Sequence, residues 1–178
     1  MEFEKVTKKD EAETVRDRTI ILRLSDADCD RLANLSGEYG LTVSELLENF
    51  IGDLVDGTFS NGSDEIRYAR YWFERCWFYN FPENTLLHHL LHSYRNPESY
   101  LDLLDEIECL KEEKKYIEEH SEEANELAQY IDDDISSYEE SLHDMRAGWK
   151  PEKIFSNLHD QVEIIRKFVR DRDALIYQ

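Results

Sequence analysis

The sequence predicts a mainly α-helical protein with one short β-strand near its N-terminus. Apolar side chains recur at helical spacing over most of the 178 residues, and typical helix-capping residues precede these stretches. The chain has only six glycines and three prolines, so few positions interrupt a helix. One segment, Thr19–Leu24, alternates β-branched and apolar residues as a strand does. The apolar content of the whole chain, 40%, is sufficient for a buried core at this length.

Net charge restricts the functions that this composition allows. The chain has 41 acidic and 21 basic residues, which gives a net charge of −20 at pH 7. Broad binding to nucleic acid or to an anionic membrane is therefore disfavoured, because such affinity comes from Lys and Arg. No apolar run reaches the roughly 18 residues of a membrane span. The charged residues 1–18 do not resemble a secretory signal, and three widely spaced cysteines predict reduced thiols in a cytoplasmic protein.

The first third of the chain predicts a flexible charged arm followed by a small folded unit. Residues 1–18 are polar without periodicity, which is typical of a mobile arm. In residues 19–57, Ser25 is expected to cap a first helix that ends at Gly40. Thr42 and Glu45 have the spacing of a capping box at the start of a second helix.

This order of strand, capped helix, glycine and capped helix resembles the ribbon-helix-helix fold of Arc- and MetJ-type repressors. The resemblance depends on Arg18–Ser25, Gly40 and Thr42–Leu47, and it covers residues 18–57. It implies an obligate homodimer through residues 19–57, in which the strand pairs with the same strand of a second chain. The remainder of the chain resembles no family known to us.

The resemblance also implies a set of DNA-contacting positions, namely outward strand residues for the bases and first-turn amides for a phosphate. These positions are Thr19, Ile21, Arg23, Val43 and Ser44. Two features depart from the family pattern. Ile21 is apolar where a base-reading residue is usually polar, and residues 16–57 contain nine acidic but only four basic residues. A fold retained only for dimerisation is therefore the alternative interpretation.

Residues 58–63 predict a linker, and residues 64–96 predict a pair of helices rich in aromatic residues. Eight aromatic side chains lie between Tyr68 and Phe81, and we interpret them as core. In the second helix, His88 and His92 are four residues apart, a spacing that is compatible with a metal ion. Because the rest of this helix is apolar, a structural role is favoured, and we predict no metal or other cofactor.

Residues 97–178 predict an acidic helical hairpin with a heptad repeat. A continuous helix is expected from Pro97 to Met145, followed by a Gly/Pro turn and a last helix from Pro151 that folds back antiparallel. The first helix is strongly acidic, with 18 acidic residues and three lysines between Pro97 and Asp144.

The acidic residues of this helix have two interpretations. One is a solvated outer face, which is the usual role of a charge run. The other is a surface that occupies a groove lined by Lys and Arg in a partner protein. The candidate partner-binding residues are Glu118, Glu119, Glu122, Glu123, Glu126, Asp132, Asp133 and Asp134.

The favoured function is that of a non-enzymatic interaction protein, since no phosphate-binding glycine loop, nucleophile elbow or ordered acid/base pair is visible. We predict an inhibitor of phage or mobile-element type, of the anti-CRISPR or anti-restriction kind. Its acidic helical domain would imitate DNA and bind a basic nucleic-acid-handling protein, with the ribbon-helix-helix dimer as its platform. The alternative is a ribbon-helix-helix transcriptional regulator or antitoxin that binds operator DNA.

Overall fold

A computed structural model describes residues 8–76, 84–120, 124–151 and 157–177. Within these ranges the regular secondary structure consists of eight helices, which confirms the mainly α prediction. The chain divides into two compact units, which we call unit 1 (Met1–Pro82) and unit 2 (Glu83–Tyr177).

Unit 1 contains four of the helices, and its two predicted caps are confirmed. The Ser25 hydroxyl accepts a hydrogen bond from the Asp28 amide at 3.2 Å at the start of the second helix. At the start of the third, Thr42 and Glu45 form the reciprocal capping box. Gly40 follows the second helix with φ of 70°, the left-handed conformation that favours glycine. The helices are α1 (Lys8–Glu13), α2 (Asp26–Glu38), α3 (Val43–Leu54) and α4 (Ser63–Glu74).

The flexible arm predicted for residues 1–18 is partly wrong, because α1 lies within it. The Glu11 carboxylate on α1 accepts a hydrogen bond from the Thr58 hydroxyl at 3.1 Å, so α1 is attached to the loop that follows α3. Residues 1–7 lie outside the described residues.

The linker predicted at residues 58–63 is also wrong as a domain boundary. The Asp53 carboxylate accepts hydrogen bonds from the Asn61 amide at 2.8 Å and the Ser60 hydroxyl at 3.1 Å, which fixes this loop against the end of α3. Helix α4 then packs on α3, and the Phe50 and Trp72 rings meet edge to face with centroids 5.4 Å apart. The boundary lies between residues 82 and 83, so the predicted helix pair 64–96 is divided between the two units.

The predicted strand is not formed in the single chain. Residues 15–25 have no regular secondary structure, and the described residues contain no strand that could pair with them. A β-strand needs a neighbour for its N–H and C=O groups, which an isolated segment lacks.

Unit 2 contains the other four helices, and the continuous rod predicted from Pro97 to Met145 is wrong. The chain forms two antiparallel helices instead, and the pairing is visible in two salt bridges. Lys111 Nζ lies 3.3 Å from Glu139 Oε1, and Lys114 Nζ lies 2.7 Å from Asp132 Oδ1. The helices are α5 (Leu86–His92), α6 (Pro97–His120), α7 (Ala124–Arg146) and α8 (Leu158–Ile176).

The reason for the fold-back is that α6 and α7 bury their apolar stripes against each other. A lone helix of this length would leave its heptad stripe in water, while an antiparallel neighbour covers it within the same chain. Like charges four residues apart, Glu118 with Glu122 and Glu119 with Glu123, also disfavour one unbroken helix through this part of the sequence.

The last helix packs against α6 as a third layer, so residues 97–178 are not a two-helix hairpin. Arg166 lies 3.5 Å from Asp105, and Arg172 lies 2.9 Å from Glu98, which makes α8 antiparallel to α6. Described residues of α8 begin at Leu158, and residues 152–156 lie outside the description.

The core of unit 2 lies where α5 packs on the three longer helices. Gln161 of α8, 1% exposed, accepts a hydrogen bond from the Leu86 amide at 2.8 Å and so satisfies a first-turn N–H of α5. The side chain that caps α5 is Thr85, whose hydroxyl accepts a hydrogen bond from the His88 amide at 3.1 Å. The buried cluster is Leu86, Leu90, Tyr100, Ile107, Ile131, Ile135, Leu142 and Ile165.

Truncation of this core should destabilise unit 2 strongly. Leu90 is fully buried, so we expect Leu90→Ala to lower the free energy of unfolding by about 2–5 kcal/mol. The neighbouring Leu91→Ala is the control, because Leu91 is 45% exposed, and it should change stability by less than about 1 kcal/mol. Urea denaturation followed by circular dichroism measures both. Equal losses in the two variants would contradict this assignment of the core.

Candidate functional site

The predicted DNA-contacting strand positions are all exposed, but so are the residues between them. Ile21 is 88% exposed, and Thr19 and Arg23 are also exposed. Ile20 and Leu22, which the alternation assigns to the opposite face, are each 55% exposed. The single chain therefore does not distinguish an inward face of this segment from an outward one.

The predicted phosphate site at the start of α3 has an acidic neighbour. Val43 and Ser44 occupy the first turn, and the Glu45 carboxylate accepts hydrogen bonds from the Thr42 amide at 2.7 Å and the Thr42 hydroxyl at 2.8 Å. Hydrogen bonds from the Thr42 amide and hydroxyl lower the pKa of Glu45, so this carboxylate is ionised at neutral pH. A phosphate at these amides would meet that negative charge.

Unit 1 leaves most of its apolar side chains uncovered. In its described part, Ala69 is the only buried apolar residue, and α3 has no buried residue at all. A cavity of about 360 Å³ lined by Phe50, Tyr68 and Trp72 opens between α3 and α4. The exposed large apolar residues of the predicted dimerisation domain are Ile20, Ile21, Leu22, Leu24, Leu35, Tyr39, Leu41, Phe50, Ile51 and Val55.

The candidate acidic residues are divided between two helices. Glu118 and Glu119 lie at the end of α6, while Glu126 and Asp132–Asp134 lie on α7. Glu122 and Glu123 lie outside the described residues. Because α6 and α7 are antiparallel, the fold places on neighbouring helices the carboxylates that were predicted along one rod.

Two of these candidates form salt bridges with one lysine of unit 2. Lys114 Nζ lies 2.7 Å from both carboxylate oxygens of Asp132 and 3.8 Å from a Glu118 oxygen. Hydrogen bonding to Asp132 raises the pKa of Lys114 and so favours its charged form. Lys114 occupies a heptad core position, and a lysine at such a position is the sequence signal for an interhelical tie.

Most carboxylates of α6 and α7 have no such partner. Eleven of them are exposed and form no salt bridge within the described residues. They include four of the predicted partner-binding residues. The eleven are Asp102, Glu106, Glu108, Glu112, Glu113, Glu119, Glu126, Asp133, Asp134, Glu140 and Asp144.

The histidines of α5 do not form a metal site in the described part of the chain. The His88 and His92 rings stack with centroids 5.7 Å apart, and no third ligand completes a group with them. His89 instead lies beside the backbone carbonyls of Met145 and Ala147 at the end of α7. Sequence reasoning did not single out His89, since adjacent histidines on a short helix give no signal of which one contacts the end of another helix.

Comparison with protein-family models, curated proteins and solved structures finds no match to this chain. Among the described helices, none has both the length and the apolar content needed to cross a bilayer.

Acidification should destabilise unit 2 through His89. Burial lowers the pKa of His89 below its usual 6.5, and the charge of Arg95 lowers it further. The unfolded chain therefore binds the proton more tightly, so this contribution to stability is complete above about pH 6.5 and is lost as the pH falls towards the folded-state pKa.

We expect His89→Gln to lose less stability than the wild type between pH 7.5 and pH 5.5. Thermal denaturation in phosphate-free buffers measures the difference between the two proteins at each pH, which cancels the effect of the other acidic groups. Parallel profiles would contradict the prediction.

Proposed function

We propose that the protein is a non-enzymatic, dimeric interaction protein whose acidic unit 2 binds and inhibits a basic nucleic-acid-handling protein. The observation that carries this proposal is the set of eleven exposed carboxylates on α6 and α7 that form no salt bridge within the described residues. An inhibitor of the anti-CRISPR or anti-restriction kind would use them in place of the phosphates of DNA.

The fold-back strengthens this interpretation because it raises the density of negative charge. Helix α6 has nine acidic residues and three lysines, and α7 has seven acidic residues and one arginine. Two such helices side by side concentrate their charge within a few Debye lengths, each about 8 Å at physiological salt. Charge of one sign on this scale favours association with a surface of the opposite sign.

The exposed apolar residues of unit 1 support the dimeric platform. Leu24, Phe50 and Ile51 are 40–47% exposed, so the folded unit lacks part of the about 1.5–3 kcal/mol that full burial of each would contribute. Pairing of two Thr19–Leu24 segments would satisfy their backbone groups and cover these side chains at the same time. The occupant of this face is therefore a second copy of the chain.

The dimer predicts opposite effects at adjacent strand positions. We expect Leu22→Glu to convert the dimer to a monomer of 21.2 kDa, because Leu22 would face the core shared by the two chains. Ile21→Glu should leave the dimer intact, since neighbouring residues of a strand face opposite sides. Light scattering measures the mass of each variant at micromolar concentration. A monomeric wild type, or identical masses for the two variants, would refute the proposed platform.

The partner surface predicts that removal of carboxylates from unit 2 weakens binding. We propose to neutralise Glu119, Glu126, Asp133 and Asp134 with the corresponding amides. Binding to a basic protein purified from the source cell on immobilised wild type should fall by at least about 10-fold, and wild-type affinity should fall steeply as salt rises. Free double-stranded DNA should compete for the same basic protein.

The matched control changes the same net charge in unit 1. Glu13, Asp17, Glu48 and Glu74 are exposed there and form no salt bridge within the described residues, so their neutralisation should leave partner affinity within about two-fold. Circular dichroism checks that helix content is unchanged in both quadruple variants. If the two variants bind the partner equally well, the acidic face is only a solvated surface.

The second candidate function is a ribbon-helix-helix regulator, and the observation that favours it is the exposed Arg23 on the Thr19–Leu24 segment. In that case the dimer should shift DNA from upstream of its own gene, and Arg23→Ala or Thr19→Ala should abolish the shift. Absence of any shift by the wild type at low salt would exclude the regulator and leave the inhibitor.

A further inference from the structure

A corner of unit 2 brings together polar side chains from the end of α5, the start of α6 and the end of α7. Two hydrogen bonds connect the residue Asn84, which precedes α5, to the segment that follows α7. Asn84 Nδ2 donates to the Lys150 carbonyl, and Trp149 Nε1 donates to the Asn84 carbonyl at 3.3 Å. The His89 ring lies 3.9 Å from the position that a Cβ would occupy at Gly148. We call the set His89, Arg95, Tyr100 and Arg146 the basic corner.

Three polar atoms of the basic corner are buried without a hydrogen-bond partner. They are His89 Nε2, Arg95 Nη1 and Tyr100 Oη, and Tyr100 has no exposed surface at all. Buried polar atoms are normally satisfied, because each unpaired one loses its hydrogen bonds to water without replacement. Three such atoms on residues of adjoining helix ends leave hydrogen-bonding capacity that a bound group would satisfy.

The charge of the basic corner points to the sign of that group. Arg95 and Arg146 are half-buried, and neither forms a salt bridge within the described residues. Arg146 Nε donates to the Leu142 carbonyl at 3.1 Å, and its guanidinium lies close enough to Tyr100 to oppose the rise that burial causes in the Tyr100 pKa. Two partly desolvated cations without a counter-ion are costly in any protein.

The lack of a salt bridge to Arg95 or Arg146 within the described residues is notable because unit 2 contains a large excess of carboxylates. The other cations of its described part that lack a salt bridge are exposed to solvent, where water stabilises them. They are Lys115, Lys150 and Arg170. Among the described cations of unit 2, only the two arginines of the basic corner are half-buried and form no salt bridge.

The backbone positions Arg95 by a strained turn. Tyr94 has φ of 54°, the left-handed conformation that is unfavourable for a non-glycine residue, and its side chain is fully exposed. The Tyr94 amide donates to the Leu91 carbonyl at 3.2 Å, and the Arg95 amide donates to the Leu90 carbonyl at 2.8 Å. This Schellman arrangement ends α5 and directs the chain back so that Arg95 lies beside His89.

We propose that the basic corner binds a tetrahedral oxyanion of the phosphate class. Two guanidiniums and a phenol offer N–H and O–H donors at adjoining helix ends, and a tetrahedral anion can accept from several directions at once. A planar carboxylate has two oxygens and would leave part of this donor set unpaired. Guanidinium groups are also the side chains best suited to phosphate geometry.

Calorimetric titration of the full chain with sodium phosphate tests the proposal, with sodium sulfate and sodium acetate at matched ionic strength as comparisons. We expect saturable binding of phosphate and sulfate but not of acetate. Hydrogen exchange should slow, in phosphate relative to chloride, at residues 89–101 and 142–149. Protection at the start of α3 instead, or binding of acetate as tight as that of phosphate, would overturn the assignment.

Tyr100→Phe is the sharpest variant because it removes only the buried hydroxyl. It should leave the melting temperature of the anion-free protein unchanged or higher, since the hydroxyl has no partner, and should weaken phosphate binding roughly 10- to 100-fold. Arg95→Gln should weaken binding at least as much.

Lys115→Gln is the matched control, as it removes the same charge from an exposed position of the same unit and should retain wild-type affinity. The proposal fails if the wild type gives no heat of phosphate binding beyond chloride. It also fails if Tyr100→Phe binds phosphate as the wild type does, or if Lys115→Gln weakens binding as much as Arg95→Gln.

Discussion

Burial of the apolar stripes of α6 and α7 against each other is the constraint on which the rest of unit 2 depends. Each helix is amphipathic, and alone it would leave its apolar stripe in water. The chain therefore reverses, and the two helices pair antiparallel. Helix α8 then covers the remaining side of α6, and α5 closes the end of the core through Leu86 and Leu90. The four helices share one cluster of apolar side chains, and no part of it is complete without the α6–α7 pair.

The same pairing has an electrostatic cost that shapes the surface. It brings two acidic helices together, and the repulsion is offset in part by cations placed between the helices, above all Lys114 with Asp132. Helix α8 offers Arg166 and Arg172 to α6 in the same manner. The carboxylates of α6 and α7 that form no salt bridge face solvent. The apolar faces of these helices therefore form the core, while their acidic faces are the proposed binding surface for a basic partner.

Unit 1, in contrast, buries too few apolar side chains to form a closed core of its own. Helices α2 and α3 are well capped and the loop after α3 is fixed by Asp53, yet most of the large apolar side chains in the described part of unit 1 are exposed. Well-formed helices without a closed core are expected of a unit that shares its core with a second copy of the chain. The two units thus differ in what completes them: unit 2 is closed by its own helices, while the proposed function assigns the completion of unit 1 to a second chain.

The sequence by itself determined the helical class, the Ser25 and Thr42 caps, and the sign of the charge, because these depend on residue type and short spacing. It did not determine that the predicted rod folds back or that the boundary falls after residue 82, since an apolar heptad stripe does not specify which stripe covers it. The basic corner was equally hidden, because Arg146 is distant in sequence from Arg95 and Tyr100. Only tertiary packing decides which sequence-distant side chains are buried next to each other. A charged group or hydroxyl that is buried without a partner gains by binding a ligand, and this is why such a cluster can act as a site.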